Sequence, residues 1–112
     1  MLRQAQGARR YTDRLELLKS DRIIDELGHA HMGDPYVVKT VLGNVSRMSE
    51  TKTLATFEQA DIVGVDIELR YTSDDFNGIR WQGHTIALHA PEDVDNRHRT
   101  LRVAGYYQQD NP

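Results

Sequence analysis

Nine consecutive residues constrain this chain more than any other feature in it. In Val63-Gly64-Val65-Asp66-Ile67-Glu68-Leu69-Arg70-Tyr71 every odd position is apolar or aromatic, and every even one is polar or glycine. A period of two over that length specifies a strand with one buried and one wetted face, the pattern of an antiparallel sheet packed on one core. A turn cluster, Thr72 to Gly78, follows. Ile79-Arg80-Trp81 and His84-Thr85-Ile86-Ala87-Leu88 then flank the dipeptide Gln82-Gly83. Two such runs separated by two residues predict a tight hairpin, with Ile79 and Trp81 facing Ile86 and Leu88. Arg99 to Tyr107 reads as a closing strand.

The N-terminal half is less regular. Arg14-Leu15-Glu16-Leu17 alternates and predicts a first strand. Asp21 to Leu27 leaves two readings open, a helical turn capped by Asp21 and stopped by Gly28, or an extended continuation. Residues 28–35 read as a loop from their glycine and proline punctuation. Tyr36 to Leu42 is β-branched and predicts a strand. Gly43 is expected to break it, with Asn44 to Met48 resuming beyond a bulge. Ser49 has the character of a helix N-cap, and a short helix is expected over residues 50–60, with Leu54 and Phe57 on one face. Lys52 stands where a capping box would place Glu. The expected organisation is a flexible arm over residues 1–13, a single domain over 14–107 and a disordered tail over 108–112. The fold class is mainly β: a small antiparallel barrel of five to six strands with one short helix, in which closure removes exposed sheet edges.

Composition narrows the function classes. The chain has 112 residues, no cysteine and a formal net charge of −3. Disulfide frameworks, zinc–thiolate sites and cysteine nucleophiles are excluded. A mild acidic excess argues against a tight nucleic-acid binder. No stretch approaches the ~18 apolar residues of a membrane span, and Met1 to Ala5 has no apolar leader core. No partner membrane, cofactor, metal or catalytic residue is expected.

Several local clusters invite chemistry and have plainer readings. His29-x-His31 could share a metal, with Asp34 the only further ligand nearby, and reads better as part of a solvated loop. Asp74-Asp75 and Glu92-Asp93-x-Asp95 lack the Ca²⁺-loop pattern and sit where turns favour acids. Phosphate loops, dinucleotide fingerprints and hydrolase signatures are absent from the sequence. Tyr71 and Trp81 could stack bases, yet they fall in phase with buried positions and read as core. Arg97, Arg99 and Arg102 could pair with the preceding acids, touch phosphate or dock an acidic partner; the mixed signs favour the first and third.

The order of the C-terminal motifs carries a resemblance. A strand ends in Ile67-Glu68-Leu69-Arg70-Tyr71; Gly78-Ile79-Arg80-Trp81-Gln82-Gly83-His84-Thr85-Ile86-Ala87-Leu88 follows; then come Asp95-Asn96-Arg97 and Thr100-Leu101-Arg102-Val103. This is similar to the head–tail joining proteins of long-tailed phages, also called head-completion or stopper proteins. Arg14 to Leu17 looks like the family's opening strand, and Ser49 to Ala60 sits where the family carries a short helical segment. The resemblance spans about residues 14–107. Leu42-Gly43 departs from the family's Trp-Ala pair, and Thr85 stands where an aromatic is usual.

The resemblance implies a non-enzymatic virion protein made in the bacterial host. It would self-associate into a hexameric or dodecameric ring below a portal or adaptor ring and above the tail. The ring would close the DNA-filled head and dock the tail, while DNA passes without tight binding. On this reading Ser49, Glu50, Lys52, Leu54 and Phe57 are expected at a ring interface or channel constriction. Arg3, Arg9 and Arg10 would form a docking arm. Asp74, Asp75, Asp95 and Arg97 would lie in loops facing neighbouring rings or the channel. The alternative is a free-standing small-barrel module that binds nucleic acid or peptide.

Overall fold

The computed structural model describes residues 11–89, 91–93 and 97–109. Its elements are β1 (Asp13–Lys19), β2 (Arg22–Ile24), β3 (Ala30–Met32), β4 (Tyr36–Arg47), α1 (Glu50–Phe57), β5 (Ile62–Arg70), β6 (Gly78–Trp81), β7 (His84–Leu88), β8 (Glu92–Asp93) and β9 (Thr100–Gln108). Six strands run in the order β5-β4-β1-β6-β7-β9, and pairing of β9 with β5 closes them into an antiparallel barrel. The short β8 extends the sheet beside β9. A second, two-stranded sheet, β2 with β3, stands apart from the barrel.

The alternation in β5 does what its period requires. Val63, Val65, Ile67 and Leu69 are buried and meet Leu15 and Leu17 of β1, Ile79 of β6, Ile86 of β7, and Leu101 and Val103 of β9. Phe76 plugs the same core from the loop before β6, while Tyr71, Trp81 and Tyr107 pack partly buried against it. The β6–β7 hairpin pairs Trp81 with His84 and Ile79 with Ile86. Gln82 and Gly83 both have positive φ, 49° and 81°, the combination that matches a two-residue turn to the twist of its strands.

The N-terminal half departs from the sequence reading in three places. Of the two readings left open for Asp21 to Leu27 the extended one holds at residues 22–24, and residues 30–32 pair with them inside the segment expected to be a loop. Strand β4 runs unbroken through Gly43, which pairs with Asp13 on one side and Leu69 on the other. A Cβ at Gly43 would lie 2.6 Å from the Glu68 carbonyl oxygen and 2.7 Å from Leu15 Cδ1. The glycine therefore permits close approach of strand to core rather than a break. The bulge lies elsewhere: Leu17 opposes Lys39 and Leu18 opposes Val37, which leaves Val38 as the extra residue.

The helix begins as its cap dictates, with Ser49 Oγ accepting from the Lys52 backbone N–H at 3.1 Å. It ends at Phe57, three residues before the expected limit, with Glu58 in the left-handed region and its N–H bonded to the Leu54 carbonyl. Its buried residues are Thr53 and Phe57. Thr53 sits over Gly64, where a Cβ would approach Thr53 Oγ1 to 2.6 Å. Phe57 packs on His89 and Tyr106, with ring centroids 4.8 and 5.0 Å away. Leu54 points away from this contact and is 56% exposed. The pairing of Leu54 and Phe57 on one face is corrected accordingly: the helix docks through the 53/57 pair.

Candidate assembly surface

The apolar residues left over from the core are concentrated in one place. Ile23, Ile24, Leu27, Met32, Tyr36, Val37 and Val38 are all exposed, Leu27 by 81%. They belong to the β2–β3 ribbon and to the first residues of β4, which together form an arm. Exposed apolar side chains clustered in this way mark an interaction surface.

Local chemistry gives the arm its shape. Register places Ile24, Ala30 and Met32 on one face of the ribbon, with Ile23 and His31 on the other. At the tip, Asp25 Oδ1 accepts the backbone N–H groups of Leu27 at 2.9 Å and His29 at 2.8 Å. Gly28, at φ 84°, completes the turn, so Leu27 is held outward at its apex. His29 Nδ1 lies 3.6 Å from Asp25. At the base, the Gly33 N–H bonds the Asp21 carbonyl at 2.8 Å. Beyond the base, β4 pairs with β5 only from Gly43 onward. Among the described residues no strand pairs with the β5-facing edge of β4 between Tyr36 and Leu42, an open edge of the kind that recruits another chain.

The loop between β5 and β6 brackets the arm to the barrel. Asn77 accepts from the Ser20 N–H and donates to the Ser20 carbonyl, both at 3.0 Å. Lys19 pairs with Asp75, and Lys39 with Asp74 at 3.5 Å. The Thr72 hydroxyl donates to Asp74, which holds that carboxyl below its ordinary value, with Lys39 adding to the effect. The hydrogen bond to Asp75 holds the Lys19 ammonium above its ordinary value.

The residues singled out in the sequence are dispersed over this framework. Ser49 caps α1, Glu50 opens its first turn, and Lys52 reaches back to Asp66 on β5 at 2.8 Å. Of that group, Leu54 offers the exposed apolar side chain, while Phe57 fixes the helix to the barrel. Asp74 and Asp75 are committed to the lysines at the root of the arm. Arg97 is exposed. Asp95, Arg3, Arg9 and Arg10 lie outside the described residues. Arg102 pairs with Glu68 of β5 at 3.6 Å and stands opposite Glu92 of β8 in register.

The arm is the candidate surface that sequence reasoning missed. Its signal was there: four large apolar side chains within a segment punctuated by glycine and proline, followed by Tyr36-Val37-Val38 without alternation. Charge marks the same segment. Asp21, Asp25, Glu26 and Asp34 against Arg22 give residues 20–35 a net charge of −3, equal to that of the whole chain.

No family model and no curated protein matches the chain. Among solved structures it is similar to a chain from the virion of a native gene transfer agent (GTA) particle. The TM-score is 0.70 at 17% identity, over 90% of this chain and 97% of that one. At that identity the likeness is one of fold.

Proposed function

We propose that this chain is a structural component of a phage-like virion, assembling as a homo-oligomeric ring in the head–tail connector. The observation that carries the reading is the near end-to-end fold likeness to a virion chain, joined to an apolar arm that stands exposed. An arm of this kind is an interface awaiting a neighbour. In a hexameric or dodecameric ring below a portal or adaptor, it would be buried by assembly, and the ring would close the head and dock the tail. The net charge of −3 fits a conduit that passes DNA without holding it, since a wall that bound phosphate strongly would retain the duplex. The reading requires no catalysis. A base-stacking module is less well supported, because Tyr71 and Trp81 are packed against the core.

Size-exclusion chromatography with light scattering, with and without portal complexes, tests the proposal. The expected result is a ring-sized species, formed by the chain alone or on the portal. A monomer that ignores portal complexes and binds short single strands in a salt-dependent way would establish the binding-module reading instead.

A further inference from the structure

We propose that copies of this chain join head to tail, the arm tip of one seating in the cleft between α1 and β5 of the next. The inference rests on the ring reading and names the two surfaces that would build the ring. The cleft has a volume of about 300 Å³, and its lining includes Arg47, Met48, Leu54 and Ile62. One truncated leucine leaves a void of about 150 Å³ in a core, so this cleft has room for two aliphatic side chains. Leu27 and Ile24 are the two most exposed large apolar residues of the arm, at 81% and 62%.

Position within the fold excludes an intramolecular contact. The arm leaves the Tyr36 end of β4, and Arg47 at the other end of that strand lines the cleft. The two ends are about 36 Å apart along the strand. An apolar projection at one end and a matching cleft at the other form a heterologous pair, which repeats into a ring when its rotation closes. The contact buries the tip residues Leu27 and Ile24 against Met48, Leu54 and Ile62, and Thr53, Gln59 and Gln109 of the same lining supply polar groups of the kind found at an interface rim. Charge supplies orientation. Glu26 adjoins Leu27 at the tip, Arg47 is the only cation in the cleft lining, and neither has an ion pair among the described residues. Glu50 and Asp61 also line the cleft, so apolar burial supplies the attraction and Arg47 the register.

The absence of cysteine from the chain gives a clean background for the test. Leu27→Cys and Leu54→Cys both alter exposed side chains that the barrel does not need. On oxidation of the concentrated protein, the double variant is expected to give a covalent ladder of dimer, trimer and higher species. Mixed single variants should give heterodimers at least tenfold above either one alone. Failure to form the 27–54 link at any protein concentration overturns the proposal, as does equally efficient linking of Leu27→Cys to itself, which would mean arm-to-arm contact. A second pair needs no oxidant. Leu27→Asp and Leu54→Glu should each weaken self-association at least tenfold, and their mixture should recover dimers that stop at two. Particle incorporation separates the two readings. Leu54→Glu entering virions at the wild-type level overturns the cleft as receptor and leaves the ring standing. A wild-type chain absent from virions overturns the ring, while the cross-link still decides the contact.

Discussion

Asp74, expected in a loop facing neighbouring rings or the channel, has its partners within its own chain. Its carboxyl accepts from the Thr72 hydroxyl and faces Lys39 on the strand that carries the arm. Because its folded value is held below the ordinary 3.8, the stabilisation it confers is present above pH 3.8 and is lost as pH falls through the lowered value. Asp74→Asn should therefore unfold at lower denaturant than the wild type at pH 6, and the gap should close on acidification below about pH 4. A gap that stays constant from pH 6 to pH 2.5 would sink the assignment. Gly43 teaches the complementary lesson. In a sequence it reads as a breaker, whereas in the barrel it is the residue without a Cβ where β4 passes within contact of Leu15 and Glu68.

At the scale of elements, α1 is too short to be stable alone and owes its persistence to what it rests on. Four contacts hold it: the Ser49 cap, the Lys52–Asp66 pair, Thr53 over Gly64, and Phe57 against His89 and Tyr106. The aromatic contact dominates by burial. Phe57→Ala is expected to cost about 3 kcal/mol, whereas loss of the Ser49 cap costs about 1 kcal/mol. Urea titrations followed by circular dichroism would order the two, and an order reversed from this one would place the helix's anchorage elsewhere. The same contact makes Phe57 unsuitable as a probe of assembly, since its removal detaches the helix. Leu54, one turn back and outward, is the informative position.

At the scale of the molecule, the closed barrel and the open arm divide the labour. The barrel pairs its strands around a full circuit and needs no neighbour. A lone two-stranded ribbon is marginal in water, and among the described residues the ribbon is tied down at its root. Replacing residues 22–32 with a short Gly-Ser turn should leave the melting temperature within a few degrees of wild type while abolishing self-association. A large drop in melting temperature would show that the arm belongs to the core after all. Most of the barrel was legible in the sequence: the alternation of β5, the β6–β7 hairpin, the Ser49 cap and the closing strand are local patterns, and local geometry alone fixes which face of a strand is buried. The arm was not legible, because Ile23, Ile24, Leu27 and Met32 are ordinary apolar residues whose meaning depends on whether anything covers them. That is settled by where β4 ends its pairing with β5, at Gly43, and by which face of α1 meets the wall. These are contacts between residues distant in the chain, and only the closed barrel decided which apolar side chains it had room to bury and which it left exposed.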